Sequence, residues 1–284
     1  MIVDAHQHFW RPDRGDYGWL RPADGVLYRD YLPQDLAPLI ATHDVQATVL
    51  VQAAPTEAET RYLLDLAAQN DFVAGVVGWV DMEAPNAPGR IADLVAYGDG
   101  KLKGLRPMVQ DIADPQWLLK PVLDAAFEAM IDHRLVFDAL VLPHQLPTLQ
   151  ARLLRHPKLR AVLDHAGKPD IAGEEFPGWA GDIAQLAREL PLLHCKLSGL
   201  LTQAGDGAGA DELAPYVAHL FEHFGPKRLM WGSDWPVLNL KSDYGLWLEI
   251  ARTLVRRHAP GHEQNILGAT AIGFYALDKK EETV

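Results

Sequence analysis

Eight short apolar segments, each the length of one strand and each closed by a turn signal, constrain this chain more than any other feature. They are 1–8 (MIVDAHQH), 47–54 (ATVLVQAA), 72–80 (FVAGVVGWV), 101–109 (KLKGLRPMV), 134–141 (RLVFDALV), 159–167 (LRAVLDHAG), 192–199 (LLHCKLSG) and 228–235 (RLMWGSDW). Between them run segments with apolar residues at i, i+3 and i+4, the pattern of amphipathic helices. Examples are 56–70, 114–133, 143–157, 179–190, 210–224 and 244–258. Thr56 followed three residues on by Glu59 predicts a capping box. Strand and helix alternating eight times predict a closed parallel α/β barrel, a (β/α)8 TIM barrel, as a single domain over 1–284; a doubly wound open sheet is the structural rival. Residues 9–35, rich in Trp, Tyr, Pro and Asp, read as a long loop insertion after the first strand, and 262–278 as an additional helix closing the outside of the barrel.

The charge balance narrows the partners. Lys and Arg number 26 against 38 Asp and Glu, a formal charge of −12. Such a surface repels phosphate backbones and anionic membranes, so neither nucleic acid nor membrane is an expected partner. The single cysteine, Cys195, allows no intrachain disulfide. With no signal-peptide pattern and no apolar run of transmembrane length, these features predict a soluble cytoplasmic protein. The composition leaves oligomeric state open.

In barrels of this kind chemistry gathers at the carboxyl ends of the strands. The polar residues late in each apolar run are His6 and His8, Gln52, Trp79 and Asp81, Arg106, Asp138, Asp164 and His165, His194 and Lys196, and Ser233, Asp234 and Trp235. Side chains two apart on a strand share a face, so His6 and His8, and Asp4 with them, are expected to point the same way. Two imidazoles joined by a third and by a carboxylate are a donor set for a divalent cation such as zinc.

These segments resemble the amidohydrolase superfamily. D-A-H-Q-H at 4–8, D-H-A-G-K-P at 164–169 and W-G-S-D-W-P at 231–236 match that family's motifs on strands 1, 6 and 8 across nearly the whole chain. G-L-R at 104–106 and H-x-K-x-S-G at 194–199 are similar to its lactonase branch, which includes sugar-acid lactonases and a pyrone-dicarboxylate lactonase. The resemblance implies metal or proton-transfer roles for His6, His8, His165 and Asp234. Strand 4 offers Arg106 rather than a bridging Lys or Glu, and strand 5 offers Asp138 rather than His. That departure argues against a two-metal centre, and the branch implies that even one zinc ion is not required.

The expected reaction is opening of a small-molecule lactone, an aldonolactone, by direct attack of water. Asp234 is the expected general base, and His165, Lys196 and Arg106 the groups that stabilise developing negative charge. Gln52, Trp79, Asp138, Trp10 and Trp235 are expected to contact the sugar. The alternatives are a metal-dependent decarboxylase of the same superfamily, a dicarboxylate lactonase, and a barrel that binds a sugar without turnover.

Overall fold

The computed structural model describes residues 1–277. Eight strands, β1 Ile2–Gln7, β2 Val45–Val51, β3 Val73–Gly78, β4 Leu102–Leu105, β5 Val136–Ala139, β6 Ala161–Leu163, β7 His194–Leu197 and β8 Leu229–Trp231, lie parallel in sequence order. The sheet closes where β1 meets the segment after β8: Asp234 N donates to His6 O at 2.8 Å and His8 N to Trp235 O at 2.8 Å. Helices α1 Pro33–Thr42, α2 Glu57–Gln69, α3 Ala87–Tyr97, α4 Asp124–Asp132, α5 Leu146–Arg155 and α6 Phe176–Glu189 follow the first six strands. After β7 come a single turn, α7 Leu200–Gln203, and α8 Ala210–Phe224; α9 Tyr244–His258 follows β8, and α10 Thr270–Tyr275 ends the described chain. This is a TIM barrel.

Several elements depart from the sequence reading, each for a local reason. The helical pattern over 114–133 yields only α4, because Pro121 lacks the N–H an inner turn needs; the residues before α4 form two 3-10 turns. Helices α1 and α3 were predicted only as members of the strand–helix alternation, not from their own apolar spacing. Both carry Pro and α3 also Gly, which obscures the apolar spacing, although Pro in the first turn is tolerated. Thr56 caps α2 by accepting from Glu59 N at 3.0 Å, but the Glu59 carboxylate does not return to Thr56. It accepts instead from Ala53 N and Ala54 N, at 3.0 and 2.7 Å, and so ties down the exit of β2. Burial pushes the Glu59 carboxyl up to about 7.

The final helix plugs the barrel rather than covering its outside. Ala271, Phe274 and Tyr275 pack with Val3, Ala5, Val49, Val51, Val77, Val136, Val162 and Met230 in one buried apolar cluster. Each fully buried Val, Met or Phe among them contributes about 1.5–3 kcal/mol. A wide π turn, Asn265–Ala269, leads into this helix; Asp278, the last residue of the predicted helix, lies outside the described residues. The segment from Trp10 to Tyr31 is a packed flap: the two residues exchange backbone hydrogen bonds of 3.0 Å, and Tyr31 stands edge-on to both Trp10 and Trp235. Among the described residues no helix is long and apolar enough to cross a membrane.

Candidate active site

The register of β1 against β2 shifts between Asp4 and Gln7. Strict alternation therefore fails there, and Asp4 does not share the face of the two histidines as expected. Its carboxylate accepts from Ser233 N at 2.8 Å and from the Tyr244 hydroxyl of α9 at 3.0 Å, on the helix side of the sheet. His6 and His8 turn inward, with their Nε2 atoms 3.2 Å apart. Gly232 makes room for the first of them, since a Cβ there would lie 2.7 Å from His6 Cβ.

The other two motifs leave their strands early. β6 ends at Leu163 and β8 at Trp231, so His165 and Asp234 sit in tight turns with φ of 53° and 58°. Left-handed backbone is uncommon for such residues and marks positions aimed by the fold. His165 Nδ1 lies 2.9 Å from Ser198 Oγ. Gly199, at φ 61°, allows that approach, because a Cβ on it would stand 2.6 Å from the same ring nitrogen. The three distant segments meet around Asp234 Oδ1, which is 3.4 Å from His8 Nε2, 3.7 Å from His6 Nε2 and 3.9 Å from His165 Nε2.

Above this cluster opens a cavity of about 210 Å³, lined among others by His8, Trp10, Trp19, Arg106, His165, Lys168 and Asp234. A second cavity of about 500 Å³ adjoins it, lined among others by Trp19, Trp79, Asp81 and Trp117. Of the residues expected to contact a sugar, Trp10 lines the first cavity and Trp79 the second. Gln52, Asp138 and Trp235 line neither. Gln52 holds Arg106, accepting from its Nε at 2.9 Å and, through the backbone carbonyl, from Nη2. Trp235 packs edge-on against Phe9 and Tyr31. Asp138 faces inward beneath the cluster, accepting from the Tyr275 hydroxyl at 2.8 Å and from Lys196 Nζ at 2.5 Å. Lys196 lies there too, fully buried, 2.9 Å from Asp164 Oδ1 and 3.0 Å from His6 Nδ1.

Sequence reasoning gave no role to Asp164, Gln110, Ser198 or Tyr275, and counted Lys168 only as a cation near the mouth. Asp164 and Ser198 stand inside the quoted motifs, and Tyr275 is a buried tyrosine whose hydroxyl needs a partner. Gln110, which accepts from Lys168 Nζ at 2.5 Å, lies in a 3-10 turn, Val109–Asp111, with no motif to mark it.

Burial governs the electrostatics. It pushes the His165 imidazole down to about 4 and holds His6 and His8 below the ordinary range, so the three rings are neutral at pH 7. Burial opposes charge on Asp234 as well, yet in its place beside His165, His8 and His6 this carboxyl stays below the carboxylate range and is ionised. Asp138 is lifted by burial to about 6, against the pull of Lys196, whereas at Asp164 the cations Lys196 and Arg106 oppose burial and the carboxyl lies well below that range.

The donor set fits a divalent cation. Ligand atoms of His6, His165 and Asp234 all lie within 4.8 Å of one another, and His8 Nε2 is adjacent. His8 donates Nδ1–H to Val51 O at 2.8 Å, which leaves its Nε2 lone pair facing the cluster.

Comparison with known proteins agrees with this geometry. The sequence model of the family described as Amidohydrolase matches residues 3–277. The chain is 46% identical over 281 residues to an L-fucono-1,5-lactonase of Burkholderia ambifaria, covering 98% of this chain and 96% of that protein. It is 38% identical to an L-fucono-1,5-lactonase of Burkholderia multivorans, again over 98% of this chain and 96% of that protein. The crystal structure of a Burkholderia multivorans amidohydrolase with bound zinc superposes with a TM-score of 0.92 at 36% identity, covering 98% of this chain and all of that one. With its barrel complete and its histidines and aspartate gathered at one mouth, the chain belongs to the Amidohydrolase family.

Proposed function

We propose that this protein is a hydrolase that opens a sugar-acid lactone, L-fucono-1,5-lactone or a close stereochemical relative, by direct attack of water. The observation that carries the reading is an ionised, buried carboxylate, Asp234, set among neutral imidazoles at the floor of a small cavity. The strong likeness to two L-fucono-1,5-lactonases supports the substrate class.

Water held by Asp234 attacks the carbonyl carbon, and its proton passes to the carboxylate. The C=O electron pair moves onto oxygen. Arg106, which keeps guanidinium N–H groups beyond those committed to Gln52 and Asp164, faces that oxyanion together with Lys168. Collapse breaks the ring C–O bond, and Asp234 returns its proton to the leaving alkoxide. The products are a hydroxy acid, ionised at neutral pH, and one released proton. Trp10 and Trp19 wall the cavity, and Lys168, Gln110, Asp111 and Thr202 offer partners for hydroxyl groups. With Asp111 and Asp234 beside Arg106 and Lys168, this lining suits a neutral lactone better than a dicarboxylate.

His6, His8, His165 and Asp234 would hold a zinc ion. When bound, the ion supplies Lewis-acid polarisation of the carbonyl. A lactone is more electrophilic than an amide, and Arg106 and Lys168 already provide positive charge, so the chain's own groups suffice. The test is proton release from L-fucono-1,5-lactone by enzyme dialysed against chelator, with metal content measured. Turnover within about twofold of the untreated protein is expected. Absence of lactone opening with and without added zinc overturns the reading.

A further inference from the structure

We propose that Lys196 weakens divalent-cation binding at this site by locking His6 in the tautomer that withholds its ligand nitrogen. Lys196 Nζ is within hydrogen-bond reach of two acceptors, Asp138 Oδ2 at 2.5 Å and His6 Nδ1 at 3.0 Å, and forms an ion pair with Asp164 Oδ1 at 2.9 Å. An ammonium has no lone pair to offer. Nδ1 of His6 is therefore the accepting nitrogen, and the hydrogen of the neutral ring sits on Nε2.

The neighbouring contacts agree. His8 donates from Nδ1 to Val51 O, so its Nε2 carries a lone pair, 3.2 Å from His6 Nε2 and able to accept that hydrogen. Two contacts pull the other way. Asp164 Oδ1, an acceptor with no hydrogen-bond partner among the described residues, stands 3.4 Å from His6 Nδ1, farther than the Lys196 ammonium at 3.0 Å. The second is a cation: Arg106 Nη1, also a donor, lies 3.4 Å from His6 Nε2. It is the longer of the two cationic contacts, and Asp164 Oδ2 stands at the same 3.4 Å as an alternative acceptor for that nitrogen.

A metal ion needs the lone pair of His6 Nε2. Moving the hydrogen to Nδ1 would set one N–H against another at 3.0 Å. Imidazoles that bind metals well donate their second nitrogen to a carbonyl, carboxylate or other acceptor. His8 does so with Val51 O, and His165 has Ser198 Oγ at 2.9 Å. His6 has a cation in that place instead. Asp164 Oδ1, 3.4 Å from the same Nδ1, is the acceptor that would serve it once the ammonium is gone. The inference goes beyond the lactonase reading, since it needs only the ligand cluster and holds for any substrate.

Replacing Lys196 alone would strand Asp138 as a buried, unpaired charge and endanger folding. The variant to test is therefore Lys196→Met combined with Asp138→Asn, in the full chain without substrate. Zinc affinity is read by competition with a chromophoric chelator. The double variant is expected to bind zinc about ten- to a hundredfold tighter than wild type, the usual scale for changes to a ligand's hydrogen-bond partner. Adding His8→Ala is expected to erase the gain. That separates this site from His219, Glu222 and His223 of α8, whose ligand atoms also lie within 4.8 Å of one another. Nitrogen-15 spectra of the metal-free histidines give a second reading, with the His6 hydrogen on Nε2 in wild type and on Nδ1 in the double variant. The proposal is overturned by unchanged or weaker zinc affinity in a folded double variant, by a gain that survives His8→Ala, or by a wild-type His6 that carries its hydrogen on Nδ1.

Discussion

Asp234→Asn is expected to lower kcat for lactone opening by roughly a thousandfold, the middle of the range for loss of a positioned general base. The amide keeps the size of the side chain but cannot take a proton from water. The fold should survive, for two reasons. Position 234 is held through its backbone, with N donating to His6 O at 2.8 Å, and asparagine tolerates the φ of 58° found there. KM should change little, because the carboxylate is assigned to the attacking water rather than to the sugar. Steady-state kinetics beside a thermal melt reads both points. Turnover within tenfold of wild type in a folded variant would remove Asp234 from the role of base.

Arg106→Met should lower kcat/KM by about 10²–10³-fold, the scale seen when a donor to a developing oxyanion is lost. The substitution also frees Gln52, whose side chain and backbone carbonyl both accept from this guanidinium. A stability loss of about 1–3 kcal/mol is expected from those unpaired acceptors. Asp164 keeps Lys196 at 2.9 Å, so no buried carboxylate is left without a cation. Arg106→Lys should not restore activity, since an ammonium cannot reproduce a planar fork holding two oxygens of Gln52 at once. Kinetics and denaturant midpoints for the pair separate the two contributions. A folded methionine variant with kcat/KM within threefold of wild type would assign the oxyanion to another group.

The barrel itself was legible because eight apolar runs and their turn signals repeat along the chain, and a repeated pattern survives local irregularity. The motif residues His6, His8, His165 and Asp234 were legible because each interrupts an apolar run with a titratable group. Periodicity could not show how they are aimed. His165 and Asp234 reach the cluster through left-handed turns just past their strands, and Asp4 faces the helix layer because the register of β1 slips. Those are consequences of backbone geometry rather than of residue spacing.

The supporting residues were harder to read for a different reason. Gln52, Asp138 and Lys196 each end an apolar run as a substrate contact would, yet each serves another side chain: Gln52 holds Arg106, Asp138 holds Lys196, and Lys196 holds His6. Pattern alone does not distinguish a polar group facing the cavity from one facing a partner beneath it. Tyr275 illustrates the same gap, arriving from the far end of the chain through a helix that fills the barrel's interior.

The central claim is that the small cavity over Asp234 is where the lactone carbonyl meets water. A crystal structure of the Asp234→Asn protein soaked with L-fucono-1,5-lactone tests it most directly. The account predicts an intact lactone between Trp10 and Lys168, its carbonyl oxygen toward Arg106 and its carbonyl carbon beside a water held at residue 234. A lactone seated instead in the neighbouring cavity between Trp79 and Trp117, with its carbonyl away from residue 234, would contradict it.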